Sequence, residues 1–342
     1  MMAYYILRRI FLFFFVVFSI TVFAFSLSYL FPGEPLSNLS GYQTIEYADI
    51  EFLEQKYNIN DSVITQYFTY LGHVLNGDLG LSFSSQTPVF DEILRFLPAT
   101  FELSFYALLV SMFVGVPIGI IAASKHNKFP DYLIKYSTLI GYSMPIFWWA
   151  LLLIMLFCLH LGWLPMSGRI SLLYEIPAKT GFMIPDILLA DVGYRHEALL
   201  DALKHLLLPT VILATFPTTV LIRFTRDSML EVLETQYIKT ARAKGLSRMQ
   251  VLFRHGLRNA LLPVIRQIGL QFSTLITLAM LTEVIFSWPG IGRWLVDSIY
   301  QRDFPAIQGG LLAVSSFVII ASILADSVHS ILNPLTRKRN HG

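Results

Sequence analysis

Three carboxylates interrupt otherwise apolar runs of this chain: Glu102, Glu283 and Asp326. A charge at the centre of a membrane helix costs about 2.5–3.5 kcal/mol on insertion scales, so such a residue serves a solute pathway or finds a partner at the membrane edge. Glu102 follows Thr100 by two residues and also suits an outer interface at a helix start. Glu283 precedes Phe286-Ser287-Trp288-Pro289, where it can bind a cationic solute or order the turn; Asp326 can pair with a cytoplasmic arginine. Gln267, Gln271, Thr274 and Thr282 recur at roughly helical spacing beside Gly269. Such a stripe either lines a pathway or joins helices through hydrogen bonds.

Catalytic chemistry finds less support. The phosphate-cradling pattern G-x-x-x-x-G-K-[ST] is absent, as is the zinc-protease pattern His-Glu-x-x-His. His73, His160, His205 and His255 lack the i,i+4 or carboxylate-paired spacing of a metal site, and the single Cys158 has no partner for a disulfide. No metal site, bound cofactor or nucleic-acid partner is expected.

The elements that must position the polar residues are membrane helices. Of 342 residues, 55% are hydrophobic and 14% charged, and the mean hydropathy is +0.59. Too few charges remain to solvate the surface of soluble domains. A hydrocarbon core of ~30 Å takes about 20 apolar residues per helix, which predicts six spans near 10–31, 100–123, 134–161, 206–224, 264–286 and 309–332. Proline at 117, 145 and 217 would bend three of them, either as gates or as ordinary kinks.

Orientation follows from the basic residues. With the N-terminus inside, the cytoplasmic segments hold 17 of the 25 Lys and Arg, while the 32–99 segment holds nine acidic residues beside only Lys56 and Arg95. Both termini are therefore expected in the cytoplasm. The predicted organisation is an anchor helix (1–31), a small external subdomain (32–99), a core of five spans (100–335) and a basic tail (336–342). Within 32–99, the stretch from Glu46 to Leu75 reads as helical, and Asn76-Gly77-Asp78-Leu79-Gly80 as a turn.

One cytoplasmic segment stands apart: 223–266 carries nine basic and three acidic residues with few turn formers. Asp227 to Lys244 suits a helix, which Gly245 can end in the left-handed conformation. Ser247 can cap a second helix over 248–261, whose Met249, Leu252, Phe253 and Leu257 share one face. Attraction to anionic lipid heads explains the charge but not the glycine corner.

Tyr237-Ile238-Lys239-Thr240-Ala241-Arg242-Ala243-Lys244-Gly245-Leu246-Ser247, followed by His255-Gly256-Leu257-Arg258-Asn259-Ala260-Leu261-Leu262-Pro263, closely resembles the EAA loop of ABC-importer permeases of the dipeptide/oligopeptide/nickel family. The chain departs from the general form of that loop, with Lys239-Thr240-Ala241 for the Glu-Ala-Ala triplet and Pro263 18 positions after Gly245. Phe31-Pro32-Gly33-Glu34-Pro35, Gly77-Asp78-Leu79-Gly80, Ser143-Met144-Pro145-Ile146-Phe147-Trp148 and Glu283 to Gly292 extend the resemblance over nearly the whole chain. Gly162 to Arg169 with Leu173-Tyr174-Glu175 looks most like the branch associated with antimicrobial peptides.

The resemblance implies an all-α polytopic permease of type I importer fold in a bacterial inner membrane. It implies a second homologous permease, two ATPase subunits that carry ATP and Mg, and a periplasmic solute-binding protein. Lys239, Thr240, Ala241, Arg242, Ala243, Lys244, Gly245, Leu246 and Ser247, within a coupling loop of 225–263, would receive the ATPase. Gln267, Gln271, Thr274, Thr282, Glu283 and Glu102 are the pathway candidates. Peptides, including cationic antimicrobial ones, are the expected solutes; another small cation such as a polyamine, or a tether for an ATPase that serves a different transporter, are the alternatives.

Overall fold

A computed structural model describes residues 2–42 and 47–332. Five of its helices are long and apolar enough to cross a membrane: Phe13–Leu30 of α1 (Met2–Leu30), α5 (Val89–Ser124), α9 (Arg195–Leu233), Val251–Ile285 ending in α12 (Arg258–Ile285), and Phe304–Leu324 of α14 (Phe304–Leu332). Among the described residues, β structure is confined to one bridge, between Leu81 and Pro88.

The third expected span, 134–161, is not one helix. It divides into α6 (Phe129–Ser143) and a second piece, α7 (Ile146–Leu153) continued by a π-helical turn to His160, and the two are bent by 102°. Pro145 is the cause. Its ring disfavours the helical region for the preceding residue, and Met144 is accordingly extended at ψ 125°. Pro117 and Pro217, by contrast, stay inside the unbroken helices α5 and α9.

The chain forms two compact units. The first comprises residues up to 100 together with 289–319. Here α2 (Pro35–Ser40), α3 (Tyr47–Tyr57) and α4 (Val63–Leu75) surround a core of Phe25, Leu36, Leu39, Leu53, Tyr57 and Tyr70. The single helical stretch expected from Glu46 to Leu75 is two helices, because Asn58 turns left-handed at φ 51° and Ser62 caps α4 by accepting from the Thr65 N–H; residue 46 lies outside the described residues. The sequence reading missed α13 (Ile291–Gln301), and Asp303 just after it ties the Ser82–Ser84 turn to the start of α14. The buried Asp303 carboxylate accepts from Ser82 Oγ at 2.6 Å, from Ser84 N and Oγ at 3.0 Å, and from Ala306 N at 3.2 Å in the first turn of α14.

The second unit comprises 101–288 and the chain from 320 onward. α9 packs along α12, and α6 and α7 pack against α9. Small residues permit the approach of α5 to α9. A Cβ on Gly119 would lie 2.7 Å from Ile222 O and from Thr225 Cβ. Asp131 at the start of α6 receives Arg226 of α9 through Nε at 2.6 Å and Nη2 at 2.9 Å, which braces the ends of both helices.

Candidate functional site

The basic segment folds as a helix, a corner and a second helix, with different limits from those expected. α9 ends at Leu233, Thr235 turns extended at ψ 153°, and the short α10 (Gln236–Ala243) follows. The helix predicted from Asp227 to Lys244 is therefore broken at Glu234-Thr235. Gly245 adopts φ +81° with nothing within 4 Å of an added Cβ, so its requirement is conformational and not steric. Ser247 and Gln250 then form a reciprocal capping box: Gln250 N donates to Ser247 Oγ at 3.3 Å, and Ser247 N to Gln250 Oε1 at 3.0 Å. The second helix does not stop at 261. It runs from α11 (Arg248–Gln250) through a π-helical segment, Val251–Leu257, into α12, and Pro263 lies within it.

One face of α10 anchors the corner and the other is free. Ile238 and Ala241 bury against Val251, with Val232, Leu233 and Leu246 around them. Asn259 Nδ2 donates to Tyr237 Oη at 2.7 Å and fixes α10 to α12. Lys239, Thr240, Arg242, Ala243, Lys244, Gly245 and Ser247 are exposed. Two members of the expected docking set lie off that exposed face: Ala241 points into the chain's own core, and Leu246 is half-buried beside it. Beside the corner lies a cleft of about 240 Å³, lined by Ser124, His126, Leu233, Glu234, Arg242 and Leu252 among others.

The pathway candidates separate by burial. Gln267 and Thr274 are half-buried on α12. Gln271 is buried, and its Oε1 has no hydrogen-bond partner. Thr282 and Glu283 are fully buried inside the chain, Thr282 donating to Leu278 O at 3.3 Å. The side chain of Asp326 lies outside the described residues.

Glu102, the remaining pathway candidate, is buried and bonded within the chain. Its carboxylate accepts from Met183 N at 3.1 Å and Ile184 N at 3.0 Å, the first two amides of α8 (Met183–Leu189), and Arg169 donates to it through Nη2. Those amides have no partner within the helix. Arg169 also donates to Gly181 O at 3.2 Å and lies 5.6 Å from the Trp288 ring centroid, while Gly168 N donates to Phe286 O at 2.9 Å. One arginine thus pins the 162–194 segment to α5 and to the end of α12. Arg169 entered the sequence analysis only as the end of the Gly162 to Arg169 stretch that carries the resemblance; a lone arginine in a polar loop gives no signal of its carboxylate partner 67 positions earlier.

Asp186 organises the same segment. Burial pushes its carboxyl up, but Thr180 Oγ1 and Thr180 N donate to it at 2.7 Å and Gly181 N at 3.1 Å. The bonds win, and the group ionises below the usual carboxylate range.

A model of the family described as binding-protein-dependent transport system inner membrane component matches residues 115–338, and one for the N-terminal part of such membrane components matches residues 2–104. The chain is 44% identical to the di/tripeptide transport system permease protein DppB of Pseudomonas aeruginosa (strain UCBPP-PA14), over 98% of this chain and 99% of that one. It is 40% identical to the putrescine export system permease protein SapB of Escherichia coli (strain K12), over 98% of each. Among solved structures, one of the MetNI methionine ABC transporter in inward-facing conformations matches with a TM-score of 0.50 at 15% identity, covering 70% of this chain and 96% of that chain. The shared fold is that of a type I ABC importer permease.

Proposed function

Because the chain belongs to the family of binding-protein-dependent transport inner membrane components, we propose that it forms, with a second homologous permease, the membrane path by which peptides enter a bacterial cell. Of two ATPase subunits that serve the permease pair, one docks on the exposed face of this chain's α10, and a solute-binding protein delivers peptide from the opposite side. ATP and Mg belong to those partners. Both termini lie in the cytoplasm, which puts α10 and its corner on the ATPase side and the 162–194 segment on the delivery side.

The carrying observation is the two-faced α10. Its inner face is locked to α9 and α12 by Ile238, Ala241 and Tyr237, while Arg242, Lys244 and the left-handed Gly245 stand clear of the chain. A short helix so mounted can seat in a partner's cleft and move both long helices together. A relative named for di/tripeptide transport at 44% identity supports peptides as cargo.

The test is ATP-driven accumulation of a labelled dipeptide in proteoliposomes that hold the chain with its co-expressed partners. Accumulation that disappears with an ATPase-dead partner supports import. A second reading, polyamine movement, is favoured by the relative named for putrescine export; labelled putrescine moving in place of dipeptide would select it. ATPase docking without movement of either solute would leave a tether.

A further inference from the structure

The segment between α1 and α5 contains a helix whose surface is wrong for water. α4 buries Gln66 and Tyr70 toward its neighbours, yet presents Val63, Ile64, Phe68 and Leu75 outward at 60%, 71%, 63% and 78% exposure. Ile64, Phe68 and Leu75 fall on one stripe at helical spacing. An apolar stripe of this size on a soluble surface is an aggregation hazard unless something covers it.

What α4 rests on identifies the cover. Its support is α1, which is a membrane span by length and hydropathy over Phe13–Leu30. Tyr67 Oη lies 2.8 Å from Thr21 Oγ1, the Tyr67 ring packs 6.0 Å from that of Phe18, and the Tyr70 ring 5.4 Å from that of Phe25. Thr21 is nine residues from Leu30, the end of the span, or about 14 Å at 1.5 Å per residue, which is close to half of a ~30 Å hydrocarbon core. A helix that reaches Thr21 shares the depth of one leaflet. Its polar groups obey the rule for that medium by finding partners inside the protein. Gln66 Nε2 donates to Ile59 O at 2.8 Å and to Asp61 O at 3.0 Å, and Tyr29 donates to Gln66 Oε1.

Between α1 and α4 runs a groove of about 520 Å³, walled by Phe18, Val22, Phe25, Ile64, Tyr67 and Phe68 among others. Its wall residue Phe18 is itself exposed, as is Phe14 one turn away on α1, so the groove adjoins the exposed apolar surface of that span.

We propose that α4 lies within the leaflet at the Leu30 end of α1, with phospholipid acyl chains filling the α1–α4 groove and covering the Ile64–Phe68 stripe. The segment expected as an external subdomain is then partly a membrane element. That this leaflet is the outer one rests on the topology proposed above.

The experiment uses the full chain, co-expressed with its partners and reconstituted in phosphatidylethanolamine/phosphatidylglycerol vesicles. Replacing the only cysteine (Cys158→Ser) permits single spin labels at Ile64→Cys, Phe68→Cys and, as a control on exposed α3, Glu51→Cys. Collision with oxygen, which enters hydrocarbon, is compared with collision with a charged nickel chelate, which does not. The oxygen-to-nickel ratio at positions 64 and 68 should exceed that at 51 by about tenfold or more. Equal ratios at the three positions would place α4 in water and overturn the proposal. Low collision with both probes at 64 and 68 would mean cover by a protein surface, such as the second permease, and would also overturn it. Reaction of the Glu51→Cys variant with an impermeant maleimide from inside the cell would reverse the topology and leave the lipid contact standing.

Discussion

Arg169 and Glu102 show how a charge within an apolar helix can be structural without being idle. Removing one partner of a buried pair strands the other, at a cost of about 3–5 kcal/mol. Arg169→Met and Glu102→Gln should each lower the thermal midpoint of the purified chain and free the 162–194 segment to hydrogen exchange. Exchanging the two charges should not rescue it, since an arginine at 102 offers no acceptor to the Met183 and Ile184 amides. Asp186 adds a pH dependence. Its folded carboxyl ionises below the ordinary value, so the stability it contributes is full above the unfolded value of about 3.9. That stability is lost as pH falls through the lower, folded value. Hydrogen-exchange protection of residues 179–187, corrected for intrinsic rate, should therefore hold from neutrality to about pH 4 and fall below it; in Asp186→Asn it should already be weak at neutral pH. Glu102 itself was visible in the sequence as an oddity. Its role was not, because hydrogen-bond partners 67 to 82 positions away leave no periodic trace.

At the scale of elements, the corner at Gly245 was legible because its signals are local. A glycine after a basic helix and a Ser-x-x-Gln box before an apolar run each describe backbone within a few residues. The break at Glu234-Thr235 was missed because the composition of 227–244 suits a helix throughout; what ends α9 there is the burial of Ile238 and Ala241 on Val251, a contact between distant parts of the loop. The open space around Gly245 separates two explanations of its importance. Gly245→Asn can reach the left-handed region and should keep most transport, whereas Gly245→Val should lose it at equal protein level, with the ATPase no longer co-purifying. Gly245→Glu adds bulk and charge at the docking face and should likewise abolish transport; normal ATPase co-purification with that variant would count against docking there. Ser247→Ala removes one cap, costs about 0.5–2 kcal/mol locally, and should reduce transport only in part.

Over the whole molecule, the distribution of charge predicts which side each connecting segment faces. Seventeen of 25 basic residues fall on one predicted side, and phosphatase fusions after residue 175 should be active while those after 127 should not. The five spanning helices were legible as apolar runs of sufficient length, yet α9 exceeds its run by 11 residues at one end and nine at the other, because polar residues continue a helix wherever packing supports it. That extension gives α9 a further consequence. It carries Pro209 and Pro217, eight residues apart, in its interior, and each leaves the carbonyl four residues earlier without its helical donor. Such a rod stays stiff when pushed along its axis and gives way when pressed sideways between those two points. If an ATPase seats on α10 as proposed, its stroke must run lengthwise; the direction of the force, as much as its size, decides whether the far end of the lever moves.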